Sequence, residues 1–249
     1  MVNKCIQFKN STGKQELYFY GDIVSDEWSK WTDTDTCPQD VLDILSKIDE
    51  KKPLNIYVNS GGGSVFAGMA MYNMLKRNKS DKTVYVDGLA GSIASVIAMA
   101  GDKIVMPSNS YLMIHHALCG VQDNAIGLRK MADTLDKIDE GIEEVYKTKL
   151  VNDVDIKTII DMMDNETWLT GNEASKYFNI EVVESNEAIA YCGDIANYKN
   201  VPQGLKDKLE TKEHEEIVKE PVEDKTHNVG LQNKEDLELA IAKLRIKLL

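Results

Sequence analysis

The chain has 249 residues, of which 43% are hydrophobic and 28% charged, and its formal net charge is −12. That is enough for one sizeable domain with a real core plus an appendage. So acidic a balance argues against nucleic acid as a partner, because phosphate binding needs clustered Lys and Arg.

The chain opens on MVNKCIQFKNSTGKQ, which lacks the apolar core of an export signal. Residues 16–23 (ELYFYGDI) predict a first strand with a Gly-Asp stop. In residues 39–50, Val41, Leu42, Ile44, Leu45 and Ile48 recur at helical spacing, and Pro53 ends that helix. A rhythm of short apolar strand, glycine-rich turn and helix follows. Residues 55–59 (NIYVN) lead into 60–64 (SGGGS) and a helix to Lys76; residues 83–86 (TVYV) lead into DGLAGS and a helix to Ala100. Residues 103–106 (KIVM) and 111–115 (YLMIH) read as two more strands. Strands alternating with helices at this spacing predict an α/β architecture with largely parallel strands, and their near-continuous apolar runs predict a sheet covered on both faces. The most apolar stretch, 93–100, is far too short to span a bilayer, so no membrane association is expected and the expected location is cytoplasmic.

Leu128, Met131, Leu135, Ile138, Ile142 and Val145 make the clearest helix, 128–146, with one apolar stripe. Such a stripe serves either a core-packing surface helix or an assembly helix. Residues 196–228 are rich in Lys, Glu and Asp and carry Pro202 and Pro221, the composition of a linker or disordered tail. Leu237, Ile241, Leu244 and Leu248 then mark an amphipathic helix over about 234–248, with Asn233 as its N-cap, which would be marginal alone. Two domains are therefore expected, 1–186 and a polar tail, 187–249.

Three constellations carry chemistry. In NSGGGS, residues 59–64, successive glycines let backbone N–H groups approach a ligand at a helix N-terminus. No Lys-Ser or Lys-Thr follows, and the spacing is not G-x-G-x-x-G, so a phosphate loop is disfavoured; an oxyanion hole or a plain tight turn is left. GLAGSIAS, residues 88–95, places Ser92 among small residues at a strand-to-helix turn, as a nucleophile on a sharp bend or as an ordinary N-cap. LMIHH, residues 112–116, holds two of the four histidines, the others being His214 and His227 in the tail. A serine needs an imidazole base and the base needs an orienting group. Cys5, Cys37, Cys119 and Cys192 are scattered without metal-ligand spacing, so reduced thiols and no metal are expected; only Cys119 could be a rival nucleophile.

In this order the motifs N-S-G-G-G-S, G-L-A-G-S-I-A-S and M-I-H-H resemble those of the Clp protease proteolytic subunit (ClpP) family, over roughly residues 15 to 185. The resemblance implies a ClpP/crotonase-like spiral of strand–strand–helix units, with Ser92 as nucleophile, His115 as base, the amides of Gly63 and Ile93 as oxyanion hole, and Gly61 and Gly62 in the substrate loop. It implies protein or peptide substrates, no metal or organic cofactor, and a heptameric ring or stacked rings, with helix 128–146 as the ring-to-ring handle. Aligned on N-E-T-W-L-T-G-N-E-A, the family's acid falls on Glu166, with Asp164 as alternative acid and a backbone carbonyl as a third option. His116 stands where the family has Gln, and Gly61 where it has Pro. The polar extension resembles phage and prophage capsid maturation (prohead) proteases, which act in the bacterial host cytoplasm within assembling proheads, and implies a capsid or scaffold partner met through the tail. The rivals are a housekeeping Clp peptidase fed by an AAA+ unfoldase, a crotonase-type acyl-CoA enzyme, and a catalytically silent ring or scaffold subunit. A Ser–Lys signal-peptide peptidase fits less well, since it lacks the M-I-H motif.

Overall fold

The computed structural model describes residues 8–11, 14–184 and 198–203. The chain divides into two compact units, 1–202 and 203–249, and the fold described belongs to the first. The expected terminal helix, 234–248, lies outside the described residues, as do nearly all the residues expected to form the tail.

One eight-stranded sheet organises this unit. A hairpin of β1 (Phe8–Ser11) and β2 (Lys14–Tyr20) leads to helix α1 (Pro38–Leu45), then β3 (Leu54–Ser60), helix α2 (Val65–Arg77), β4 (Lys82–Gly91) and helix α3 (Ile93–Ala98). Strands β5 (Lys103–Pro107) and β6 (Tyr111–Ile114) precede the long helix α4 (Ala125–Lys147); α5 (Ile156–Asp164), β7 (Thr167–Thr170), α6 (Gly171–Ala174) and β8 (Glu181–Val183) complete it. Strands β2, β3, β4, β5 and β8 pair in parallel, in that order, and β1 adds an antiparallel edge. The α/β, largely parallel architecture read from the motif rhythm is the one observed.

Three readings need correction. Strand β4 runs on through DGLAG, expected to be a turn, because its second half gains a new partner: residues 83–85 pair with β5, whereas 89–91 pair with β6. Helix α1 stops at Leu45 rather than at residue 50; Ile48 is still buried, but from a turn. The sheet is also not covered alike on both faces. In β3 and β4, Ile56, Val58, Val84 and Val86 are buried while Tyr57 and Tyr85 alternate with them half-exposed. Register places Tyr18, Tyr57 and Tyr85 side by side, with stacked rings 4.6 and 5.1 Å apart. Tyrosine suits this half-wet face, since it buries a ring and leaves the hydroxyl accessible.

On the other face, Leu17, Phe19, Ile56, Val58, Val84 and Val86 join Met71, Leu75, Val96 and Ile97 from the helices in one core. Close approach of α2 to α3 depends on Gly68: a Cβ there would come within 2.3 Å of Ile93 Cγ1. Because Ile93 is buried on all sides, it has little room to yield. Gly68→Ala should therefore destabilise the domain by about 1–3 kcal/mol through overpacking, despite the better helix propensity of alanine. Denaturant unfolding would check this, and an unchanged or raised midpoint would show that the α2–α3 contact can relax.

Candidate active site

Strands β3, β4 and β6 run parallel and end at one edge of the sheet, at Ser60, Gly91 and Ile114. Their registers, Ser60 opposite Ala90 and Gly91 opposite Met113, bring the glycine loop, Ser92 and His115 together. Carboxyl ends of parallel strands are where open α/β sheets place their ligand sites. The Ser92 N–H donates to the Met113 carbonyl at 2.9 Å, which ties the two chain ends to each other.

Ser92 has φ 52 and ψ −127, a conformation that a non-glycine residue holds only at a cost of about 1–3 kcal/mol. It occupies the N-cap position of α3, but its hydroxyl makes no capping bond. Instead Oγ lies 2.7 Å from His115 Nε2. In the neutral tautomer protonated on Nδ1, Nε2 accepts the Ser92 proton. Behind the elbow, the Ser92 carbonyl accepts from Ser95 Oγ at 2.5 Å, and Ser95 Oγ lies 2.7 Å from the Tyr146 hydroxyl. Burial raises the Tyr146 phenol well above its ordinary range, so it stays protonated as the donor of that chain.

The glycine loop lies against this elbow. Gly62, at φ +106, has no room for a side chain: a Cβ would fall 2.7 Å from Ser92 Cβ and 2.8 Å from the Gly91 carbonyl. The loop is pinned by the Ile23 N–H donating to the Gly62 carbonyl and the Ser64 N–H donating to the Ile23 carbonyl, both at 2.7 Å. The Gly62 N–H is used internally, on Ser60 Oγ at 3.1 Å. That leaves the amides at Gly63 and Ile93: Ile93 opens α3, where an N–H has no intrahelical acceptor, and the Gly63 N–H makes no backbone hydrogen bond among the described residues. Gly61, Gly62, Gly63, Ser92, Ile93 and His115 share one cleft of about 410 Å³.

Two carboxylates compete in sequence for the orienting role, and the fold separates them. Strand β7 is antiparallel to β6 with Ile114 opposite Thr167, so the next pair outward is His115 with Glu166. Burial lowers the His115 pKa below the ordinary histidine range; Glu166 and then Asp139 oppose that shift, and His116 adds to it. No hydrogen bond joins Glu166 to His115 among the described residues; Glu166 Oε1 accepts the Asn200 N–H at 2.7 Å. Asp164 is committed elsewhere: its Oδ1 lies 2.9 Å from His116 Nε2, and His116 Nδ1 lies 2.8 Å from Asp139 Oδ2. Asp139 also accepts the Ala117 N–H at 2.8 Å. The second histidine is thus a clamp between α4 and the end of α5.

Sequence reasoning missed Ser95, Tyr146 and Tyr198. Ser95 was findable, one helical turn after Ser92; Tyr146 and Tyr198 reach the site only through tertiary folding. Cys119 is exposed and does not line the cleft. Among the described residues one group, Glu27, Cys37 and Asp40, brings metal-ligand atoms within 4.8 Å of one another. Lys30 Nζ already lies there, 2.9 Å from Glu27 and 2.7 Å from Asp40, so an ammonium meets those charges.

Comparison with known proteins identifies a family for most of this unit. The Clp protease family profile matches residues 15–187. The ATP-dependent Clp protease proteolytic subunit 3 of Rhodococcus jostii is 28% identical over 164 residues, 65% of this chain and 78% of that protein. The ATP-dependent Clp protease proteolytic subunit of Ligilactobacillus salivarius is 33% identical over 155 residues, 58% of this chain and 73% of that one. With the profile covering well over half of its length, this chain belongs to the Clp protease family and is a serine peptidase.

Proposed function

We propose that the chain is an endopeptidase in which Ser92 is the nucleophile, His115 the general base and Glu166 the orienting acid. The observation that carries this reading is the 2.7 Å contact between Ser92 Oγ and His115 Nε2 on a strained strand-to-helix turn. His115 takes the hydroxyl proton as Oγ attacks a peptide carbonyl, then returns it to the leaving amine; water hydrolyses the acyl-enzyme by the same path. The Gly63 and Ile93 amides hold the oxyanion, each donor stabilising the transition state by about 3 kcal/mol. This scheme calls for no metal or organic cofactor.

For the biological role we propose maturation of a phage or prophage capsid in the bacterial cytoplasm, cutting scaffold and capsid precursors. Its support is the polar stretch beyond the matched residues, 188–249, which would recruit the peptidase to the shell. A second reading has its own support: the relatives are named as subunits of an ATP-dependent protease. Either role is compatible with a homo-oligomeric ring, heptameric or stacked. Ile126 and Leu128 stand exposed on the first turns of α4, an apolar surface suited to a neighbouring copy. No helix among the described residues is long and apolar enough to cross a membrane.

Three measurements test these assignments. Intact-mass analysis after fluorophosphonate treatment should show one adduct on the wild type and none on Ser92→Ala. No adduct on either would bring forward the silent ring or scaffold subunit. The acylation rate should fall with decreasing pH as His115 gains a proton, and, because burial depresses its pKa, the midpoint should lie below ~6.5. In the same assay Glu166→Gln should lose more rate than Asp164→Asn, by at least about tenfold; the reverse order would give the acid role to Asp164. Finally, purified chain should cleave capsid or scaffold precursors without nucleotide. Cleavage that requires an unfoldase and ATP would favour the housekeeping role.

A further inference from the structure

Residues 198–201 lie beyond the stretch matched by the family profile, yet they contact Gly61 and His115 of the cleft and Glu166 outside its lining. The Tyr198 hydroxyl donates to the Gly61 carbonyl at 2.5 Å, at the mouth of the glycine loop. Its ring stands edge-on to His115, with centroids 5.5 Å apart, and edge-on to Trp168 at 5.9 Å. Two residues on, the Asn200 N–H donates to Glu166 Oε1 at 2.7 Å, and Asn200 Nδ2 donates to the Asn165 carbonyl at 2.6 Å. Val201 is buried and anchors the strap.

We propose that residues 198–201 are a positioning wall of the active site, with Tyr198 enclosing the His115 imidazole and Asn200 fixing the Glu166 carboxylate. The proposal rests on the peptidase reading. It makes the segment part of the catalytic unit, so a chain ended at residue 186 would carry an incomplete site. A wall differs from a plug. Tyr198 lines the same open cleft as Ser92, Ile93 and Gly63, so the nucleophile and the oxyanion amides still face free volume. Ser92 Oγ already lies on His115 Nε2, so the nucleophile and its base are in contact with the strap in place. What the ring does is exclude water from an imidazole whose depressed pKa originates in burial. The charged or titratable groups that act on that imidazole are Glu166 beside β7, Asp139 on α4 and His116 next in sequence. The strap holds the first of these.

The test uses the full-length chain as wild type, Tyr198→Ala, Tyr198→Phe and Lys199→Ala, the last as an exposed control on the same segment. Two readouts are taken: the fluorophosphonate acylation rate, and the His115 titration followed by NMR, assigned with His115→Gln. Tyr198→Ala should acylate about 10- to 100-fold more slowly, the scale of a misplaced catalytic group. Its His115 midpoint should rise toward the ordinary value as water reaches the ring. Tyr198→Phe keeps the ring edge and should recover the midpoint and most of the rate; Lys199→Ala should match the wild type. An unmoved midpoint in Tyr198→Ala, or an unchanged rate, would overturn the proposal. A faster rate would also overturn it, by showing that the segment obstructs the cleft. If the wild type itself forms no adduct, the peptidase reading fails, and the titration alone decides whether the strap encloses His115.

Discussion

The parallel pairing of β4 with β6 is the constraint on which the site depends. Gly91 is opposite Met113, and the Ser92 N–H is bonded to the Met113 carbonyl, so nucleophile and base leave adjacent strands at the same level. Their 2.7 Å contact is therefore set by backbone hydrogen bonds rather than by two free side chains finding each other. Strand β4 can offer this pairing because it forks. Its first half stays in the main sheet beside β5, and its second half leaves that partner for β6. A one-residue slip in either pairing would turn Ser92 or His115 to the opposite face. The buried valines of β4 resist the slip, since it would expose Val84 and Val86 together.

The electrostatics follow from the same frame. Two adjacent histidines meet three carboxylates, and the fold sorts them. His116 takes Asp139 and Asp164 by direct contact, which joins α4 to the end of α5. His115 takes Ser92 by contact, and the carboxylates act on it only through space. Burial keeps the imidazole neutral, as a base must be before it accepts a proton. Glu166 and Asp139 then favour the imidazolium that forms once the proton moves. Strain accompanies these positions. Of the described non-glycine residues with positive φ, Ser92, Asp153 and Glu166, two are the neighbours of His115. Such conformations persist where surrounding hydrogen bonds over-determine them.

Local chemistry was legible in the sequence, and long-range geometry was not. NSGGGS, GLAGS and MIHH each have an ordinary structural use alone, but their occurrence together and in this order is specific, and the strand–turn–helix rhythm pointed to parallel strands. The fork of β4 was hidden, since no residue type marks a strand that changes partners. Motif alignment put the acid on Glu166 with Asp164 as alternative, and only the fold shows what each carboxylate meets: Glu166 directly precedes β7, whose first residue pairs with Ile114, while Asp164 is bonded to His116. The alternation of Tyr57 and Tyr85 with buried aliphatics reads in sequence as a continuous apolar run, because tyrosine counts as apolar by composition while behaving as a half-wet residue. Tyr198 carried no signal at all, lying in polar sequence and acting through contacts made across more than a hundred residues.

Helix α4 shows how one sequence pattern can serve two surfaces. Its stripe is uniform from Leu128 to Val145, but Ile142 and Val145 are buried in the core whereas Ile126 and Leu128 are exposed. Periodicity reports that a face is apolar, not what covers it. The loop before the helix carries Leu118, which both lines the cleft and stands 68% exposed. The rim of the cleft at Leu118 is therefore open and apolar, while beside His115 the chain supplies its own cover through Tyr198. The exposed side chains of Leu118, Ile126 and Leu128 make part of that loop and the start of α4 an apolar surface that the core leaves uncovered.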